Sequence, residues 1–531
     1  LEGLVGANGK VWGLQSFGFS APYKVLDENR IRIKTKDTIP VKLTIIPKAK
    51  DENERGSLAK AMQYPTRALM MLRTFSINYT NAYAMTLPGF MPEVGDIFGQ
   101  NKINGIVAPG WDFAFGLTSD SWLHKAHKRN WLLKNDSVAA QATTTLGEDL
   151  QVRATLEPLR DLKIDLNASW TRNKNRTIQF MYDGMPFSES GSFSMTTISI
   201  GTAFDLGNAD NNYQSAAYDK FVENIETIHR RVESKYAGSQ YPTGSSLAGQ
   251  PYDPANGAVD KYSSDVLIPA FLSAYTGSDA GGSSLDIFPK FMSMLPNWKI
   301  KYSGLGKLPF FEKHFKSVNI EHGYKSVYAV GSYSTYATYL EYTNGIGFVS
   351  NSTTNMPVPS SRYNIGAVSI NESFSPLIGA NVTTHNNLTV GAKFIKSRVL
   401  NLSLTAIQLV ETHTEEIAFN LGYKIMGFKL FGGGKKANKS KEQKGSNINI
   451  RADFSFKNNT SLCRSIDMGT TQATSGNKSF NYSFTADYAY SKNMTISFYF
   501  DRQKTIPLIS ASSYPTTTTD FGFSMKFSLA K

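Results

Sequence analysis

The chain has 531 residues, of which 41% are hydrophobic, 12% aromatic and 19% charged, with a formal net charge of +13. Its single cysteine, Cys463, excludes an internal disulfide and a cysteine-based zinc site. No run of about 18 apolar residues occurs, which excludes a transmembrane helix but does not argue against strands that cross a bilayer.

In chain order, strand-like runs are expected at 10–20, 29–36 and 40–47, followed by a polar connection over 51–70 that contains Asp51-Glu52-Asn53-Glu54-Arg55. Further runs fall near 71–84, 105–117, 148–158, 162–172, 176–183 and 191–204. In the 162–172 run, Leu162, Ile164, Leu166, Ala168 and Trp170 alternate with Lys163, Asp165, Asn167, Ser169 and Thr171. Successive side chains of a strand point to opposite faces, so this run has one apolar and one wet face. The link through Pro158, Arg160 and Asp161 reads as a tight turn.

Residues 205–296 break the pattern. Asn212–Ala237 reads as a helix, with Phe221, Ile225, Ile228 and Val232 at helical spacing, and a second helical stretch is expected near Val266–Tyr275. An apolar stripe of that kind must pack against something. Strands resume at 297–305, 316–332, 362–372, 376–384, 388–396, 398–410 and 414–425.

The tail carries the clearest signal. Ile448, Ile450, Ala452, Phe454 and Phe456 alternate with Asn449, Arg451, Asp453, Ser455 and Lys457. Phe480, Tyr482, Phe484, Ala486 and Tyr488 alternate with Asn481, Ser483, Thr485 and Asp487. Met494, Ile496, Phe498 and Phe500 alternate with Thr495, Ser497, Tyr499 and Asp501. Phe521, Phe523, Met525 and Phe527 alternate with Gly522, Ser524, Lys526 and Ser528. A soluble β-sandwich also alternates. Three features favour a membrane barrel: strands longer than usual, charges in mid-strand on the second face, and a chain that ends in its last strand. The expected fold is therefore all-β: the C-terminal part of a large antiparallel transmembrane barrel of roughly 17–20 strands, with a helical insertion. Residues 1–204 and 297–531 supply strands, and 205–296 form an extracellular cap. Phe454, Phe484, Phe498, Phe523 and Phe527 are expected to face lipid. Lys163, Asp165, Arg451, Asp453, Asp487, Asp501 and Lys526 are expected to face the lumen.

Barrel termini lie on the periplasmic side, where turns are short. Counting back, 158–161, Lys396-Ser397-Arg398 and Ser491-Lys492-Asn493 are expected as periplasmic turns. The links 333–361, 458–479 and 502–518 and the insertion fall outside. The basic link 426–446 falls in the periplasm.

An ordered set of strings resembles the SprA/Sov family, the outer-membrane translocon of the type IX secretion system of Bacteroidetes. The strings are Arg73-Thr74-Phe75-Ser76-Ile77-Asn78-Tyr79, Leu87-Pro88-Gly89-Phe90, Leu156-Glu157-Pro158 with Asp161-Leu162-Lys163-Ile164-Asp165-Leu166, and Pro296-Asn297-Trp298-Lys299-Ile300-Lys301-Tyr302. They continue with His322-Gly323-Tyr324, Asn449-Ile450-Arg451-Ala452-Asp453-Phe454 and Thr485-Ala486-Asp487-Tyr488. They run in the family's order from about residue 70 to the C-terminus. The resemblance implies a bacterial outer-membrane location and the C-terminal portion of a longer single-chain barrel that exports folded cargo with a C-terminal signal. It also implies as partners a PorV-like outer-membrane shuttle barrel and a periplasmic plug protein, with a link to protein secretion and gliding motility. This chain alone is too short to close that ring. An outer-membrane nutrient receptor or porin-like channel is the alternative. A barrel enzyme, the third class, would need a Ser/His/Asp cluster at one rim.

The positive charge comes without a zinc-finger, helix-turn-helix or RNP-like pattern, so no nucleic acid is expected. Lumen-lining cations and contacts with lipid or lipopolysaccharide phosphates explain it instead. His124 and His127 stand three apart with no third ligand in sequence, so no metal is expected. Gly432-Gly433-Gly434-Lys435-Lys436 lacks the Ser/Thr of a phosphate loop. Gly244-Ser245-Ser246-Leu247-Ala248-Gly249 misses the nucleophile-elbow spacing by one residue. His322 reads as a belt or lumen position. No catalytic set, cofactor site or enzyme activity is expected.

Overall fold

The computed structural model describes residues 70–529 apart from 94, 104, 117–118, 134–140, 183–185, 206, 208–210, 344, 352, 427–446, 492 and 510–512. It also describes four short strands nearer the N-terminus, Gly13–Gln15, Tyr23–Asp27, Arg30–Ile33 and Thr44–Ile46. The first of these pairs with the fourth and the second with the third, within a unit that ends at Met71. The polar connection expected over 51–70 lies almost wholly outside the described residues, as does the glycine–lysine run 432–436.

Residues from Leu72 onward build one antiparallel sheet of 14 strands. In chain order these are β1 (Leu72–Thr86), β2 (Ala142–Leu159), β3 (Leu162–Ile178), β4 (Phe187–Thr196), β5 (Asn297–Tyr302), β6 (Phe315–Thr335) and β7 (Tyr363–Ile365). They continue with β8 (Ala367–Thr384), β9 (Leu388–Ser403), β10 (Gln408–Ile425), β11 (Asn447–Ser465), β12 (Thr470–Ser491), β13 (Met494–Pro507) and β14 (Thr516–Phe527). The spatial order is β14-β13-β12-β11-β10-β9-β8-β6-β4-β3-β2-β1. The short β5 lies between β3 and β6, and β7 pairs with β6. Among the described strands the sheet is open, with β1 and β14 at its edges.

The alternation of the sequence becomes two faces because the register holds. One row of opposed residues runs Phe521, Phe500, Phe484, Ala452, Leu421, Val390, Val382, Val318 from β14 to β6. The adjacent row, one residue along every strand, runs Asp520, Asp501, Ser483, Asp453, Asn420, Gly391, Asn381, Asn319. Directly opposed residues share a face and neighbouring positions do not. The first row therefore belongs to what we call the front face, and the second to the back.

Several strands outrun their sequence signal. Lys396-Ser397-Arg398, expected as a turn, lies inside β9, because Leu400 and Leu402 continue the parity of Val390, Ala392 and Phe394. The reversal comes instead at 404–407, where Ile407 adopts a φ of 48°. The expected link 458–479 is mostly strand: β11 and β12 meet at a turn over 466–469, where Gly469 supplies a φ of 63°. Likewise β13 runs to Pro507, which shortens the link expected over 502–518. Among its described residues the 105–117 run holds only the short strand Ile106–Ala108 and one turn of helix, Trp111–Ala114. The turn between β2 and β3 forms as expected. Asp161 takes the left-handed conformation there (φ 67°) and its carboxylate accepts from Lys307 at 2.7 Å.

Three helices matter for packing. Helix α1 (Asp120–Lys128) buries Trp122, Leu123 and Ala126 against Trp131, Phe180 and Ile178. Helix α2 (Ala216–Tyr236) opens at Ser215, whose hydroxyl accepts from the Tyr218 amide at 3.2 Å. Helix α3 (Ser264–Thr276) closes on Gly277 with a φ of 76°. The predicted stripe Phe221, Ile225, Ile228, Val232 is buried, and α3 is apolar on nearly every side.

The surface that receives α2 and α3 is the front face itself. Trp170, Phe193, Tyr328, Val330, Ile370 and Leu402 belong to the same core as the helices. Each fully buried Leu, Ile or Phe contributes about 1.5–3 kcal/mol. The insertion is thus fixed to the part of the sheet that carries these residues, on β3, β4 and β6 to β10.

Candidate functional site

The exposed part of the front face forms a continuous apolar band. It is carried by Phe75, Ile77 and Tyr79 on β1, Leu162, Ile164 and Leu166 on β3, and Trp298, Ile300 and Tyr302 on β5, all linked by direct opposition. On β10 it comprises Ile417, Phe419, Leu421 and Tyr423; on β14, Phe521, Phe523, Met525 and Phe527. Phe523 is 76% exposed and Phe498 43%. The rings contact one another across strands: Phe454 meets Tyr482 edge-on at 5.9 Å, and Phe484 meets Phe498 at 6.2 Å. Phe454, Phe484, Phe498, Phe523 and Phe527 all lie on this face.

The back face is mostly polar, broken by Val327, Ile395, Val399 and Val410, and is bonded laterally. Thr155 donates to Asp165 and Thr171 to Asp149, each at 2.8 Å. Lys163 pairs with Asp165 at 3.1 Å, Arg451 with Asp487 at 2.8 Å and Lys393 with Glu321 at 3.2 Å. Register places Lys163, Asp165, Arg451, Asp453, Asp487, Asp501 and Lys526 together on it. Charges of both signs alternate, so no single-sign field builds up.

Between the apolar band and the docked helices, the front face carries a belt of buried charge. Arg398 donates to Glu372 at 2.7 Å, with side-chain exposures of 3% and 1%. The same carboxylate accepts from Ser199 at 2.7 Å and from Tyr324 at 2.6 Å. Arg398 also donates to the Thr202 carbonyl at 2.6 Å, which ties the start of the insertion to the wall. One strand pair further on, Arg464 reaches Glu411 at 3.2 Å, His413 stands 3.5 Å from that carboxylate, and Tyr275 of α3 donates to it at 2.8 Å. Lys396 pairs with Glu415 at 2.8 Å and stacks over Phe204. On the far side of the docking residues Trp170 and Phe193, Arg176 and Lys174 share Glu189 at 2.9 and 3.1 Å. Sequence reasoning missed this belt. The signal was present: on β9 the charges of Lys396 and Arg398 stand on the apolar parity, not the wet one.

A cleft of about 460 Å³ opens where α2, α3 and the small sheet Tyr339–Thr343, Ile346–Ser350 and Pro357–Pro359 meet. Asp265, Lys235, Arg172, Asp286, Glu341 and Arg362 line it. Burial pushes the Asp265 carboxyl up to about 6, against the pull of Lys235 and a hydrogen bond with Ser361. A carboxyl raised above its ordinary 3.8 binds its proton more tightly folded than unfolded. Its stabilisation is complete at pH below 3.8 and is lost as pH rises through about 6. The insertion should therefore lose up to about 3 kcal/mol of stability across that window, at 1.36 kcal/mol per unit. Urea melts of Asp265→Asn should show a flat profile there; a slope equal to wild type would assign the dependence to another group.

No group of three or more metal-ligating side chains occurs among the described residues, His124 and His127 included. His322 sits in the apolar band opposite Ile300, with its Nδ1 2.6 Å from the Leu377 carbonyl. No helix among the described residues is long and apolar enough to cross a membrane.

No protein-family model and no curated protein matches the chain. Among solved structures, the chain is weakly similar to OmpT, an outer membrane protein of Vibrio cholerae. In its trimer form the identity is 8%, over 86% of this chain and 99% of that chain, with a TM-score of 0.18. A loop L8 deletion mutant of the same protein gives 8%, 85%, 99% and 0.18. The anion-selective porin from Comamonas acidovorans gives 9%, 73%, 92% and 0.12. At such scores the overall shapes do not superpose, and the likeness carries no argument about function.

Proposed function

We propose that the sheet is a wall segment of an outer-membrane β-barrel that conducts proteins, with the front face against lipid and the back face lining a water-filled lumen. The observation that carries this reading is the pair of adjacent rows, one apolar and one polar, repeated from β14 to β6. A sheet in water covers its apolar face with another layer. Here no described element covers the band below the belt of charge. Four or five apolar side chains at every second residue take up roughly 27–33 Å of strand. Tilted by about 40°, that length gives an apolar height of roughly 21–25 Å, close to the band of about 25 Å that outer-membrane barrels show.

The orientation follows from the turns. The short ones, at 160–161, at 385–387 and between Ser491 and Met494, lie at one strand end, taken as periplasmic. The insertion packs toward the other end and so lies outside the cell. Because it shares the front face, it flanks the outer surface of the wall above the bilayer, beside the mouth and not across it.

Passage of protein cargo, in preference to a small solute, is supported by the resemblance to the SprA/Sov translocon and by the mixed-sign, hydroxyl-rich back face. Such a wall offers no strong field to hold a passing folded surface. In this reading the partners are the secreted cargo with its C-terminal signal, a PorV-like shuttle barrel and a periplasmic plug. Deleting the gene should leave signal-bearing cargo folded in the periplasm, with solute uptake nearly unchanged. Loss of uptake of one solute with secretion intact would replace this reading with a nutrient receptor or porin.

A further inference from the structure

The belt of charge above the apolar band changes character along the sheet. Beneath the insertion, Arg398, Arg464 and Lys396 each have a carboxylate within about the length of a hydrogen bond. On β12 and β13, which the insertion core does not include, the same face carries Lys478, Arg502 and Lys504. All three are exposed, and no described carboxylate pairs with any of them. Glu415, in the register row of Lys478, lies two strands away and is taken by Lys396. Asp487 and Asp501 project from the opposite face.

Two of these cations, Arg502 and Lys504, stand at the end of a groove. Phe454, Phe480, Tyr482, Phe484 and Phe500 wall an open space of about 590 Å³ over the small side chain of Ala452, and Arg502 and Lys504 line it too. Arg502 is directly opposed to Tyr482, and Lys504 to Phe480. Lys504 stands about 7–8 Å from its diagonal neighbour Lys478 and about 7 Å from Arg502, two residues before it, while Arg502 and Lys478 are about 14 Å apart, so the three cations can share two phosphate groups through Lys504.

We propose that this groove binds a phosphate-bearing lipid of the outer leaflet, its acyl chains along the aromatic walls and its phosphates on Arg502, Lys504 and Lys478. The site rests on the reading of the front face as the lipid face. The charge complementarity is specific: an apolar groove with a cationic end fits an amphiphile with an anionic head. A free phosphate would leave the groove empty, and a neutral lipid would leave three cations unmatched.

The test uses the intact protein extracted from outer membranes in mild detergent, with native mass spectrometry as readout. The probes are bisphosphorylated lipid A, the same lipid enzymatically dephosphorylated, and inorganic phosphate. Wild type should retain bisphosphorylated lipid A, and Arg502→Gln with Lys504→Gln should retain it at least about tenfold less, each charged hydrogen bond lost being a substantial share of that change. Lys478→Gln should fall between them. Dephosphorylated lipid should bind wild type no better than it binds the double variant. Because the substituted side chains are exposed, the double variant should still be recovered from the membrane fraction. Equal retention by wild type and double variant, or displacement of the lipid by inorganic phosphate alone, would overturn the site and leave the wall reading intact. Recovery of wild type from the soluble fraction would overturn both.

Discussion

Arg398→Met should lower the unfolding free energy of the insertion and its wall by about 3–5 kcal/mol, because Glu372 would be left buried without its cation. Ser199 and Tyr324 still donate to that carboxylate, but neither carries charge. Adding Glu372→Gln to Arg398→Met should recover most of the loss, since the unpaired charge and not the missing bond dominates it. The contrast is Arg73, whose partner Glu157 is 2.8 Å away but whose side chain is 59% exposed. Removing that pair should change stability by less than about 1 kcal/mol. Hydrogen exchange of the α2 and α3 amides, with urea melts, measures all three. Equal protection in Arg398→Met and wild type would show that the belt does not hold the insertion.

Phe498→Arg should cut assembly into the outer membrane sharply, while the neighbouring Ser497→Arg is tolerated. Phe498 lies on the front face between Ala486 and Phe523, and Ser497 on the back between Asp487 and Ser524. A guanidinium at the bilayer midplane of a barrel costs about 2–4 kcal/mol; beside Asp487 in water it gains a partner. The amount of heat-modifiable, folded protein in the membrane fraction reports the difference. Similar yields for both variants would remove the assignment of faces.

Much of the wall was legible because one physical rule, period-two alternation, acts on every strand. The tail shows it best: the parity of Phe480 to Tyr488 and of Met494 to Phe500 is the face found in the sheet. The helices were legible for the same kind of reason. The period of Phe221, Ile225, Ile228 and Val232 gives α2 to within a few residues of Ala216–Tyr236. What was lost is whatever depends on a partner far away in sequence. Lys396 and Arg398 read as a turn, because a strand pattern has no way to announce Glu415 and Glu372 on neighbouring strands. The strands past Lys457 and Arg502 read as loops, because polar residues there belong to extensions beyond the apolar band. The docking surface of α2 was illegible too. A helical stripe states that something must cover it, not that the cover is Leu400, Leu402 and Leu409.

The two free margins of the sheet set a condition on where it can exist. β1 and β14 each have one neighbour among the described strands, over 15 and 12 residues. An edge strand turns about half of its N–H and C=O groups outward, so β14 alone leaves about a dozen unmatched. Water can satisfy them. Hydrocarbon cannot, and each such group left bare there costs several kcal/mol. The sum is tens of kcal/mol, beyond the roughly 5–15 kcal/mol by which a folded protein is stable at all. A bilayer therefore admits these strands only once both margins have found hydrogen-bonding neighbours. Whatever pairs with β1 and β14, whether each other or further strands, is as much a condition of the membrane-embedded state as the aromatic band is.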